Sequence, residues 1–148
     1  MNAKIIIVVA ILVALGAAYP TTGHCTSTEA SQEAVRIALI AVGSGVDVQD
    51  EFQQGYLAKG QKTVTQLYLS KGQTYVLVAS GCEDAYDIDL AIVDENGNLI
   101  NKDTDNGKTA VVRVTPRWSG KFYAVIKMAN STSDGAHWAL VTAHVQNS

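Results

Sequence analysis

The chain has 148 residues with 11 basic and 14 acidic side chains, a formal net charge of −3 and 47% hydrophobic residues. That length suits a single domain with a core of its own. A mildly acidic balance without a Lys/Arg cluster argues against nucleic acid and anionic membrane as partners.

Residues 1–18 have the three parts of a secretory signal: Lys4, an uncharged apolar run over residues 5–18, and small residues at Gly16-Ala17-Ala18 where processing could occur. The run has 14 residues; as a helix it spans about 21 Å, short of the roughly 30 Å hydrocarbon core of a bilayer. The alternative is an uncleaved N-terminal anchor. Lipid attachment at Cys25 is disfavoured by His24 just before it and by its distance from the apolar run. Removal of residues 1–18 leaves 130 residues and, with Lys4 gone, a net charge of −4. Export to the periplasm or the extracellular space is the expectation.

Residues 19–48 read as a helical extension. Ser27 or Thr28 can cap a helix over residues 26–42, and Glu29 and Glu33 suit the positive end of its dipole. Val35, Leu39 and Val42 share one face, Ile37 and Ile40 widen the stripe, and Gly43-Ser44-Gly45 stops it. The helix is expected to pack on the domain that follows.

From Gln49 onward the period changes to two. Strands are expected near residues 52–57, 63–69, 73–80, 88–93, from Leu99 to Ile100, and over 109–114, 121–129 and 137–145, separated by Gly, Asn, Asp and Ser turns. Asn96-Gly97 is a strong hairpin signal. Eight short, evenly spaced strands over residues 49–148 argue for an antiparallel β-sandwich or jelly roll rather than a parallel α/β fold.

Cys25 and Cys82 are the only cysteines, an even count in an oxidising compartment, and one disulfide between them is expected. C-x-x-C spacing is absent, which removes zinc and thioredoxin-like readings.

Three stretches together carry a resemblance. They are Leu69-Ser70-Lys71-Gly72-Gln73-Thr74-Tyr75; Asp87-Ile88-Asp89-Leu90 leading to Asp94-Glu95-Asn96-Gly97-Asn98-Leu99-Ile100; and Pro116-Arg117-Trp118-Ser119-Gly120-Lys121-Phe122-Tyr123. Their order resembles the bacterial pre-peptidase C-terminal domain family, from about Phe52 to Val145. The resemblance implies a β-sandwich of the kind appended to secreted enzymes, often proteases, and associated there with secretion, substrate attachment or calcium-dependent stability. No protease domain accompanies it in this chain.

Chemistry-bearing residues are sparse. Eight of the 14 acids lie between Glu83 and Asp105. Asp87 and Asp89 share one side of a strand and Asp103 and Asp105 lie beyond the hairpin, so the four form the candidate set for Ca²⁺, a cation that takes six to eight oxygens. The spacing is not that of an EF-hand. The competing reading makes these acids turn residues that bond their own backbone.

Tyr86, Trp118 and Tyr123 fall at strand or loop ends, where rings could stack on sugars or peptides; core packing is the competing reading, and Trp138 is assigned to the core. His137 and His144 are seven residues apart on one strand, hence on opposite faces, and no G-x-S-x-G or H-E-x-x-H motif occurs. A non-catalytic exported module follows, one that binds an envelope or extracellular polymer or a protein. The alternatives are a calcium-stabilised structural domain and, last, a hydrolase. No cofactor is required by any recognisable constellation.

Overall fold

The computed structural model describes residues 25–42, 46–48, 53–132 and 134–145. The signal segment, His24 and the Gly43-Ser44-Gly45 helix stop lie outside the described residues. The elements are α1 (Ser27–Val42), β1 (Val46–Val48), β2 (Gln53–Leu57), β3 (Lys62–Leu69), β4 (Tyr75–Gly81), β5 (Ala85–Asp94), β6 (Leu99–Asp103), β7 (Thr109–Val114), β8 (Gly120–Ser131) and β9 (Ala136–Val145).

Two antiparallel sheets face one another. One has the order β3-β8-β5-β6; in the other β9 and β4 are central, β7 forms one edge, and β1 and β2 both pair with β9 along the opposite edge. Alternation decides which side chains meet inside. Phe122, Ala124, Ile126 and Met128 of β8 are fully buried, as are Ile88, Leu90 and Ile92 of β5, while the residues between them are more exposed. Tyr75, Leu77, Val112, Val114, Trp138 and Leu140 close the core from the other sheet. Trp138 is thus a core residue, as expected.

β4 breaks the alternation, being buried at every position. Both its faces are covered: one by the opposing sheet, the other by α1, which packs on β4 and β9. A strand buried on both sides reads as a continuous apolar run, and Tyr75-Val76-Leu77-Val78-Ala79 is such a run.

The helix starts where Thr26 caps it, its Oγ1 accepting from Glu29 N at 3.2 Å. Its most deeply buried row is not the branched stripe expected from the sequence, although Val35 and Ile37 of that stripe pack, partly buried, against the core. Ala30, Ala34 and Ala38 are completely buried, whereas Leu39 and Ile40 are 50% and 67% exposed. Spacing of four residues places the three alanines in one row, and their small side chains let the helix lie close to a sheet face that itself presents Ala139 and Ala143. The segment holding β1 also differs from its expected place in a helical extension. Val46–Val48 pairs with Val145, His144 and Ala143, making it part of the sheet; three residues are too few to display a period.

Cys25 and Cys82 form the expected disulfide, with Cα atoms 5.3 Å apart, inside the normal range. It fastens the chain two residues before α1 to the residue just after β4. Among the described residues no helix is long and apolar enough to cross a membrane.

Candidate functional site

The motif residues of the sequence meet at the turns. Tyr75 sends its hydroxyl back to accept from Ser70 N at 3.0 Å. Gly72 N donates to Pro116 O at 2.9 Å, Lys71 N to Ser119 Oγ at 2.8 Å, and the Thr74 and Thr115 hydroxyls lie 2.9 Å apart. The β3–β4 turn therefore holds the β7–β8 connection, which crosses from one sheet to the other. In the β5–β6 hairpin Asp94 Oδ1 accepts from Asn96 N and Asn98 N, both at 2.8 Å, and Oδ2 accepts from Asn98 Nδ2 at 2.9 Å. Gly97, with φ of 80°, supplies the left-handed residue of that turn. The hydrogen bond from the Asn98 side chain, followed by those from the turn backbone, holds the Asp94 carboxyl below the usual aspartate range, against a smaller opposing effect of desolvation. Its low exposure comes from the turn wrapped around it, because it lies at the rim of the sandwich.

The connection so held carries Trp118. Pro116 is buried beyond the end of β7, and the chain then turns so that the Trp118 ring stacks on Phe122, with centroids 5.4 Å apart and planes at 27°. Phe122 is fully buried; Trp118 remains 38% exposed. Leu99, Ile100, Thr115, Pro116, Arg117, Trp118 and Phe122 line a groove of about 280 Å³ at this end of the sandwich. Leu99 and Ile100 are 55% and 38% exposed. The pairing of β5 with β6 shifts between Ile92 and Val93, next to these two residues. Arg117 is the one ionisable lining residue. The groove offers apolar contact with one cationic edge and no side chain suited to general acid–base chemistry.

The other two aromatics lie elsewhere. Tyr86 sits in the irregularity where β5 pairs with Ser131 and Asn130, at the opposite end of β8 from Gly120. Ten residues of strand separate those ends, about 33 Å. Tyr123 follows Phe122 on β8 and therefore points to the outer face of its sheet. Tyr86, Trp118 and Tyr123 thus occupy three places and form no common surface. Leu99 and Ile100, which do join Trp118, have a single sequence signal, consecutive apolar residues directly after a polar hairpin turn, and Arg117 has only its place next to Trp118.

Three of the four aspartates are engaged one by one through their carboxylates, and Asp105 joins them through its backbone N–H. Asp87 Oδ1 accepts from Gly107 N at 3.3 Å. Asp103 accepts from Asp105 N at 3.1 Å and from Val111 N at 2.8 Å. Asp89 lies 3.8 Å from Lys127 Nζ. The contacts of Asp87 and Asp103 order the crossing from β6 to β7, and that of Asp89 ties β5 to β8. Among the described residues no three or more His, Cys, Asp or Glu side chains gather where they could hold a metal. His137 stands edge-on to Tyr56 at 5.2 Å, and His144 lies 6.2 Å from Tyr75, each on its own face of β9.

The fold is a β-sandwich of the pre-peptidase C-terminal type. Among solved structures, the pre-peptidase C-terminal domain of a collagenase from Bacillus anthracis is similar at a TM-score of 0.50 and 14% identity, over 62% of this chain and 87% of that one. PliG of Aeromonas hydrophila, a periplasmic inhibitor of g-type lysozyme, matches at a TM-score of 0.48 and 14% identity, over 69% of this chain and 88% of that one. No family model matches the sequence, and no curated protein does. At 14% identity the collagenase likeness concerns the fold.

Proposed function

We propose that this chain is an exported, non-catalytic accessory module that binds a polymer or protein partner in the cell envelope or outside the cell through the groove at Trp118. The observation that carries the reading is the state of that ring. A tryptophan stacked on a buried phenylalanine is held in place, yet 38% of its surface stays open beside exposed Leu99 and Ile100. Rigid, half-open aromatics next to apolar neighbours are what binding hot spots are made of. Arg117 at the rim adds a charged donor for orientation. Export is supported by the signal-like residues 1–18 and by the Cys25–Cys82 bridge, a bond that persists in oxidising compartments.

Tryptophan fluorescence tests it. The chain has two tryptophans, and Trp138 is nearly buried at 6% exposure, so a ligand-induced spectral change reports Trp118. Titration with solubilised envelope proteins and neutral envelope polysaccharides is expected to shift the emission with at least one fraction, and Trp118→Ala to abolish both shift and binding. Binding of the same fraction at unchanged affinity by Trp118→Ala would sink the proposal.

A further inference from the structure

The two sheets are finished differently on their outer sides. The outer face of β4 and β9 is roofed by α1; the outer face of β3-β8-β5-β6 has no covering element among the described residues. Strand register shows what that bare face presents. One row runs Gln66, Tyr123, Val93, Leu99, and the next Val64, Val125, Ala91, Lys102. Beyond the first row Tyr68 stands opposite Lys121, and beyond the second Lys62 stands opposite Lys127, with Asp89 on the far side of Lys127. An aromatic and aliphatic middle, in which Tyr68 and Val64 are 65% and 56% exposed, is thus framed by Lys62, Lys102, Lys121 and Lys127.

The charge on this face runs against that of the molecule. Four of the chain's 11 basic residues lie in these rows against Asp89, and the next acid on that side of β5, Asp87, accepts from Gly107 N, while the whole chain is net −3. Folding gathers lysines that are far apart in sequence. It also sets Lys62 directly opposite Lys127, a like-charge cross-strand pair that costs stability and that Asp89, 3.8 Å from Lys127, offsets only on one side. A bound anion would relieve that repulsion. Tyr68 and Tyr123 are diagonal neighbours, roughly 7–8 Å apart, and present phenol rings side by side on an open sheet. Lys121 and Lys127 mark a track of about 20 Å along β8.

We infer that this face docks an extended anionic polysaccharide, its sugar rings lying on Tyr68 and Tyr123 and its acidic groups meeting Lys62, Lys121 and Lys127. A flat face with amphipathic rings suits a chain of pyranoses, whereas a folded protein partner anchors its hot-spot side chains in pockets. The surface meets the Trp118 groove only at Leu99; its tyrosines and lysines lie outside the groove lining, so either can fail without the other.

The test is affinity electrophoresis of the protein recovered from an exporting host, run in gels containing polygalacturonate, neutral dextran or poly-glutamate, with flotation on phosphatidylglycerol vesicles alongside. Polygalacturonate is expected to retard the protein, less so as salt rises, with no retardation by dextran or poly-glutamate and no flotation. Binding is expected to weaken about tenfold, or 1.4 kcal/mol, both in Lys62→Gln/Lys127→Gln, which keeps the packing, and in Tyr68→Ala/Tyr123→Ala, while Tyr86→Ala, at the far end of β8, retains it. Melting curves confirm that the variants are folded. Equal retardation by poly-glutamate, flotation with the vesicles, or retardation unchanged in the folded variants would each overturn the inference, as would no retardation at all.

Discussion

Gly81 and Ala85 approach so closely that a Cβ on Gly81 would lie 2.2 Å from the Cβ of Ala85 and 2.9 Å from Ile88 Cδ1. Here β4 hands the chain to the opposite sheet: Gly81 N donates to Lys108 O, Cys82 N to His137 O, and Ala85 N to Cys82 O. Gly81→Ala is expected to destabilise the fold by about 3 kcal/mol, the cost of forcing extra volume into a packed interior. Urea denaturation measures it through the midpoint.

The disulfide closes a span of 57 residues next to the same corner. On the chain-entropy model, Cys25→Ser/Cys82→Ser costs up to about 4 kcal/mol. The loss should be local first, since Cys25 ties down the end of α1. Hydrogen exchange is expected to rise in Ser27–Val42 before it rises in β4 or β8.

Asp94 gives the acid limb of stability a specific contributor. Its carboxyl is held below the ordinary value of about 3.9, chiefly by the Asn98 side chain. A lowered folded-state pKa contributes stability that is fully present above the ordinary value and is lost as pH falls through the lowered one. Asp94→Asn should therefore flatten the decline of Tm below about pH 4. An unaltered acid limb would argue against the assignment.

Asp87, Asp89 and Asp103 each have a partner within the chain, at Gly107, Lys127, and Asp105 and Val111. With their oxygens so used, millimolar Ca²⁺ against chelator should leave Tm unchanged. A clear rise in Tm with Ca²⁺ would show native-state binding by mass action.

Much of the fold was legible because its signals are local. Thr109–Val114 falls where alternation places it, and Asn96-Gly97 sits at a hairpin whose Asp94 has no other task than to hold it. The motif residues Tyr75, Gly72, Pro116 and Ser119 proved to be bound to one another. That explains why they report a fold and say little about a ligand. The helix face was misjudged because hydropathy ranks Leu39 and Ile40 above Ala34 and Ala38, whereas close approach to a sheet selects small residues. The aromatic site was partly legible: Trp118 was visible, but its separation from Tyr86 along β8 depends on register, which no local pattern carries.

The most direct test of the binding reading is co-sedimentation of the exported protein with isolated cell envelope from its own host. With excess free polygalacturonate present to occupy the lysine-framed sheet face, wild type and Tyr86→Ala are expected to sediment alike, since Tyr86 lies at the far end of β8, and Trp118→Ala to stay in solution. Sedimentation of Trp118→Ala at the wild-type level would contradict a binding site at the groove.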